Sequence, residues 1–225
     1  MKIIILGDSL ALKRPWEGID EKDTYAYKLT NHAAIINKSR YANTTFKQLK
    51  RIKPDVSEVK ADIFVIQLGI VDCCPRIFTY RQQLFLSLLN IFFPKLVNFY
   101  TNKKAKNRYE KTRKRMIVYT TQNQYRNNMQ KIIDAILLYN KPKKIFLVNI
   151  AYPSKSLKEK NYDVQNQIIQ YNNILSGFQN ELVSIIDIYS FTKNNPDSLL
   201  GDEHISTKGH DFIADIIKGS SEKLH

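Results

Sequence analysis

Apolar residues along this chain gather into five short, dense runs separated by longer stretches with helical spacing. The runs lie at Lys2–Leu6, Ala33–Asn37, Asp62–Leu68, Lys144–Ile150 and Leu182–Ile188. Those at 62–68, 144–150 and 182–188 are almost continuously hydrophobic, the pattern of strands covered on both faces. Between the runs, hydroxyl residues suited to N-caps precede apolar positions at helical intervals. Thr24 precedes Tyr25–Asn31, Thr44 or Thr45 precedes Phe46–Lys53, and Thr121 precedes a segment running to Leu138. Residues 164–181 repeat apolar positions at Ile168, Ile169, Ile174 and Leu175. Ser206 or Thr207 precedes a last helix carrying Phe212, Ile213, Ile216 and Ile217. Strands alternating with helices predict α/β architecture: a five-stranded parallel sheet in a three-layer α/β/α sandwich, one domain over residues 1–225.

One segment breaks the alternation. About fifty residues separate the third run from the helix near 122, more than a simple connection needs. Its first part, Arg81–Tyr100, is rich in Leu and Phe, and its second, Asn102–Arg115, carries eight lysines and arginines against Glu110 alone. Residues 77–120 are therefore expected to form a basic helical insertion, a cap or arm beside the carboxyl edge of the sheet.

Composition narrows the class. A hydrophobic content of 43% and a charged content of 25% are those of a globular chain. The net charge of +14 favours polyanionic partners, although a Lys-, Ile- and Asn-rich composition also arises from nucleotide bias. Cys73 and Cys74 are adjacent, which disfavours a disulfide, and they lack zinc-site spacing. A reducing, cytoplasmic compartment is expected. No signal peptide is visible, and the apolar stretch Leu84–Tyr100 is interrupted by Asn90, Pro94, Lys95 and Asn98, too short to span a bilayer.

Candidate chemistry begins at Gly7-Asp8-Ser9-Leu10, directly after the first run. A buried strand followed by glycine, a carboxylate and a serine can present a nucleophile at the carboxyl end of a sheet. The same letters also read as a strand followed by a helix cap. A nucleophilic serine needs a base. Among the histidines, His225 is terminal, His32 follows an early helix, and His210 falls inside the predicted last helix. His204 occupies the loop before that helix, on the same edge as Ser9.

Gly7-Asp8-Ser9-Leu10, Gly69-Ile70-Val71-Asp72 and Asp202-Glu203-His204 together resemble the blocks of the GDSL/SGNH hydrolase family, in the family's order. Residues 67–76 further resemble a variant branch associated with bacterial surface-polysaccharide gene clusters. The resemblance implies a flavodoxin-like sheet, Ser9 as nucleophile, His204 as general base, Asp202 as its orienting carboxylate and Asp8 as a structural acceptor. The Ser9 N–H would donate to the oxyanion, and Gly69 is expected to contribute to the oxyanion or substrate-binding site. No metal or organic cofactor is implied.

Three departures stand out. The family's third block carries an Asn that donates to the oxyanion, and Val71 occupies that place here. The family's Asp lies three residues before its His, whereas Asp202 lies two before. The glycine block after the second strand is not recognisable; a backbone N–H from Lys38–Arg40 or the side chain of Asn43 is expected to replace it. Arg14 and Arg76 each follow a block, so either could hold a substrate carboxylate or the oxyanion, or could form a structural ion pair.

The expected function is an esterase that removes an O-acyl, chiefly O-acetyl, group from a carbohydrate of bacterial surface-glycan metabolism, with an acidic glycan one form of that substrate. An O-acyltransferase using the same Ser/His site and a non-catalytic glycan-binding or scaffold protein are the alternatives. The insertion admits three readings: a solvated cap or oligomer contact, peripheral contact with an anionic inner membrane face, or nucleic-acid binding, which the scarcity of interleaved aromatics disfavours.

Overall fold

A computed structural model describes residues 1–222; His225 lies outside them. Five parallel strands, β1 (Lys2–Gly7), β2 (Ala34–Asn37), β3 (Ile63–Gln67), β4 (Lys144–Val148) and β5 (Val183–Ile186), form one sheet in the order β2-β1-β3-β4-β5. The α/β/α expectation holds. Alternate strand residues feed two cores. Ile4, Leu6, Phe64, Ile66, Ile145 and Leu147 pack on one side, and Ile3, Ile5, Ile63, Val65, Phe146 and Val148 on the other. The two-residue period makes both faces of the central strands apolar, which is why their runs read as continuous.

The chain order of the α-helices is α1 (Tyr25–Lys28), α2 (Thr45–Leu49), α3 (Ile52–Ser57), α4 (Ile70–Cys73), α5 (Tyr80–Phe92), α6 (Pro94–Ala105), α7 (Arg108–Lys114), α8 (Gln122–Tyr139), α9 (Lys155–Lys160), α10 (Val164–Ser176), α11 (Ile188–Asn194) and α12 (Thr207–Ser221). Helices α3, α8 and α10 cover one face of the sheet, and α1 and α12 the other. Thr24, Thr44 and Thr121 each accept a hydrogen bond from the N3 backbone N–H, as caps should. The helix expected over Phe46–Lys53 is divided into α2 and α3. Pro54 falls in the first turn of α3, where its missing N–H costs nothing, whereas a continuous helix would drive its ring into the carbonyl of Lys50.

The segment after α4 leaves and re-enters the body at one point. Arg76 pairs with Ile117 in an antiparallel bridge, and the Asp72 carbonyl accepts the backbone N–H groups of Tyr119 and Thr120. Beyond this stem, α5 and α6 form a hairpin, and α7 returns to pack against α9. No residue of α5 is buried, and of α6 only Val97 is.

Candidate active site

The first strand ends in a tightly supported turn. A Cβ on Gly7 would stand 2.7 Å from Ser39 Oγ and 3.0 Å from Ala11 Cβ. Glycine is thus required by close approach rather than by an unusual φ. Asp8 follows, fully buried, with its N–H donating to the Gln67 carbonyl at 3.1 Å. Its Oδ1 accepts the Leu10 N–H at 2.9 Å, capping the 3₁₀ turn Ser9–Ala11. Burial pushes the Asp8 carboxyl up to about 7, and Oδ2 has no partner among the described residues. Ser9 is left half-buried at the carboxyl edge, with its backbone N–H unbonded among the described residues.

Across 195 positions of sequence, His204 Nε2 lies 3.4 Å from Ser9 Oγ. The loop carrying this buried histidine is closed by an antiparallel Leu199–Ile205 bridge and by the Leu200 N–H on the His204 carbonyl. Asp202 Oδ1 accepts both the His204 backbone N–H at 2.9 Å and the ring Nδ1 at 2.6 Å. This side-chain turn explains how a carboxylate only two residues away reaches the ring. A carboxylate can only accept, so that contact fixes the proton on Nδ1 and leaves Nε2 free to accept from Ser9. Burial raises the Asp202 carboxyl, but the hydrogen bonds from His204 outweigh it and hold the group below its ordinary range.

A second carboxylate also reaches the ring, one that the sequence analysis did not single out. Glu17 Oε2 stands 3.4 Å from His204 Nδ1. The 3₁₀ turn Pro15–Glu17 carries it, and Gly18, at φ +79°, lets the chain reverse so that Arg14 and Ile19 bridge. Arg14 Nε donates to Glu17 Oε2 at 2.7 Å, and a second guanidinium nitrogen meets Oε1. This bond from Arg14 holds the Glu17 carboxyl below its usual range. Arg14 is thus held in an ion pair, one of the alternatives open for it. Glu17, Asp202 and His204 have ligand-type atoms within 4.8 Å of one another, the one such cluster among the described residues. Hydrogen bonding accounts for the arrangement, since the atom that both carboxylates face carries a proton.

The expected substitutes for the missing glycine block are engaged elsewhere. Lys38 N–H donates to the Ile5 carbonyl at 2.9 Å, Arg40 N–H to the Gly7 carbonyl at 3.1 Å, and Ser39 N–H to Asn37 Oδ1 at 3.0 Å. Asn43 Nδ2 donates to the Gly7 carbonyl at 3.0 Å and to Gln48 Oε1 at 2.8 Å, using both of its hydrogens. Asn43 pins the serine turn from behind, which corrects the expectation that it supplies a donor. Gly69, at φ +147°, turns the chain from β3 into α4, and a Cβ there would strike Ile150 at 2.7 Å and Tyr125 Oη at 2.9 Å. Asp72 is wholly buried, accepting from Thr45 N–H and Thr45 Oγ1, and burial pushes its carboxyl up to about 6. Among the other histidines, His210 is buried with its Nδ1 accepting the Tyr25 N–H at 3.3 Å, and His32 is exposed.

Val71 faces a cleft of about 690 Å³ between the body and the insertion. Arg76, Lys47 and Arg108 line it with Tyr80 and Tyr119, and no carboxylate among the described residues does. The Arg76 guanidinium lies 5.2 Å from the centre of the Tyr119 ring, and its buried Nε has no partner among the described residues. Of the two arginines, Arg76 lines this cleft and Arg14 does not.

Comparison with known proteins fits this geometry. Solved structures with the same fold include a lipase/acylhydrolase from Enterococcus faecalis, 19% identical over 97% of this chain and 96% of that one, with a TM-score of 0.65. A GDSL-like lipase from Bacteroides thetaiotaomicron is 15% identical over 100% of this chain and 89% of that one, with a TM-score of 0.64. An acetylxylan esterase from Geobacillus stearothermophilus is 16% identical over 96% and 91%, with a TM-score of 0.61. No curated protein matches the sequence. The model of the GDSL-like lipase/acylhydrolase family matches residues 3–217, bracketing the turn at Ser9 and the loop at His204, and the chain belongs to that family.

Proposed function

We propose that this protein is a serine esterase that removes O-acyl, chiefly O-acetyl, groups from a carbohydrate of bacterial surface-glycan metabolism. The observation that carries the reading is the relay from Ser9 Oγ through His204 to Asp202, at 3.4 and 2.6 Å. Ser9 Oγ attacks the acyl carbonyl as its proton passes to His204 Nε2, forming a tetrahedral oxyanion. The imidazolium formed is stabilised by Asp202 on its other nitrogen. Collapse breaks the ester C–O bond, and the proton on Nε2 goes to the departing sugar oxygen. Water then gives a proton to His204, attacks the acyl-enzyme and releases the acid, returning Ser9 to its starting state. A 3.4 Å serine–histidine separation without substrate is ordinary for such sites, which tighten on binding.

The sugar preference is supported by the cleft next to Val71. Gln83, Asn90, Asn98 and Asn102 offer amides there, and Tyr80 and Tyr119 offer rings and hydroxyls. Its cations without carboxylates suit an acidic glycan. The structural likeness to an acetylxylan esterase and the likeness of residues 67–76 to polysaccharide-cluster proteins point the same way. A second reading, a glycan-binding protein on the same fold, is favoured by Val71 and by the engagement of the Lys38–Arg40 amides.

A serine-directed fluorophosphonate separates the two. The esterase reading expects labelling of the wild type and none of Ser9→Ala. Labelling that survives the substitution, or a wild type that neither labels nor hydrolyses acetylated sugars, overturns it. Product analysis with added acceptor sugars then distinguishes hydrolysis from acyl transfer.

A further inference from the structure

The hairpin of α5 and α6 turns its apolar stripes outward. On α5, Leu84, Leu88 and Ile91 follow helical spacing, with Phe85 and Phe92 beside them, and all five are exposed, Ile91 to 71% and Phe92 to 75%. On α6, Leu96, Phe99 and Tyr100 continue the surface, with Leu96 68% and Phe99 69% exposed. Scattered apolar side chains on a protein surface mean little, but a contiguous apolar face of two helices marks an interaction site. Between the helices runs a groove of about 530 Å³ walled by Phe85, Leu89, Leu96 and Phe99.

Charge decides what covers this face. Between Arg76 and Tyr109 the chain has no carboxylate, while Lys95, Lys103, Lys104 and Lys106 flank the apolar stripes. A symmetric contact with a second copy would set those cations against themselves. An anionic bilayer instead offers hydrocarbon to the stripes and phosphate to the lysines. No described helix is long and apolar enough to cross a membrane, so the contact would be interfacial. We propose that the α5–α6 hairpin docks the protein on the surface of an anionic phospholipid bilayer, with Phe92 and Phe99 entering the headgroup–acyl boundary and the lysines engaging the headgroups. The cleft beside Val71 shares Leu84, Val97 and Asn98 with the hairpin, so docking would bring that cleft to the membrane surface.

Flotation of the full chain with phosphatidylglycerol vesicles and with phosphatidylcholine vesicles tests this without any reading of catalysis. At low salt, binding to the anionic vesicles should be at least about tenfold stronger than to the zwitterionic ones, and moderate salt should weaken it. Ile91→Ser with Phe92→Ser should reduce binding about tenfold or more, and these exposed positions leave the fold intact. Lys103→Glu with Lys104→Glu is the independent second variant and should abolish the preference for anionic lipid. Absence of flotation at low salt, or flotation that neither variant changes, overturns the proposal. So does a dimer in sedimentation velocity that the Ile91/Phe92 variant dissociates while vesicle binding is absent.

Discussion

Glu17 Oε2 stands 3.4 Å from His204 Nδ1, the same atom that meets Asp202 Oδ1 at 2.6 Å. Two carboxylates thus face one ring nitrogen, at unequal distance and with unequal freedom. Asp202 makes the hydrogen bond, whereas Glu17 is bound to Arg14 and acts through its field. Asp202→Asn is expected to cost at least about 100-fold in kcat, because it loses the tautomer-fixing acceptor. Glu17→Gln should cost less than about tenfold, because it leaves the bond between Asp202 and His204 in place. A larger loss from Glu17→Gln than from Asp202→Asn would show that Glu17, not Asp202, orients the ring.

Arg14→Ala should lower kcat by less than about tenfold, because His204 keeps its hydrogen bond to Asp202. KM should stay within about twofold, since Arg14 is turned toward Glu17. A large rise in KM would instead restore Arg14 to the substrate.

By the resemblance of Gly69–Asp72 to the family's third block, Val71 takes the place of an oxyanion-donating Asn. Removing such a donor typically costs about 100- to 1,000-fold in turnover, so adding one should recover part of it. Val71→Asn is expected to raise kcat on a simple acetyl ester by about tenfold or more. Unchanged turnover in a folded variant would mean that another group already fills the role.

Asn43 lies behind the serine turn, so Asn43→Ala should act on stability. Loss of its bonds to the Gly7 carbonyl and Gln48 should cost about 1–3 kcal/mol. Thermal unfolding should show the loss, and kcat measured well below the new Tm should be little changed. A collapse of kcat with Tm preserved would return Asn43 to the oxyanion.

Asp8 predicts a pH dependence of stability. Its folded carboxyl, at about 7, binds a proton more tightly than in the unfolded chain. The associated stability is complete below the unfolded carboxylate value of about 4 and is lost as pH rises through 7. Asp72, at about 6, adds a slope of the same sign. His210, pushed down to about 4 by burial, contributes the opposite slope at acid pH, common to wild type and variant. Between pH 5 and pH 8 the Tm of wild type should fall more than that of Asp8→Asn. Parallel falls would contradict the assignment.

Much of this site was legible in the sequence because its parts are local. An apolar run followed by Gly-Asp-Ser specifies a strand and the turn after it, and Asp202 reaches His204 within one loop. Glu17 was not legible. Its approach depends on the left-handed Gly18 and the Arg14–Ile19 bridge, which place a carboxylate from one loop over a ring from another. The amides of Lys38 and Arg40 were misjudged for a related reason: their availability depends on the register of β2 against β1, and that register spends them on Ile5 and Gly7. Periodicity also placed helices in the insertion without showing that its apolar stripes would face outward.

The stem at Arg76 and Ile117 gives the insertion the character of a graft. The bridged pair brings its two ends side by side, and α7 ties back to the body through Arg108 on Asn161 and Thr112 under Tyr162, so the α5–α6 hairpin stands beyond a closed base. A tenfold change in loop length alters closure entropy by only about 2 kcal/mol, so the hairpin can change length at little thermodynamic consequence. The hydrolase body and the hairpin can therefore vary separately, the one holding Ser9 and His204 and the other an outward apolar face.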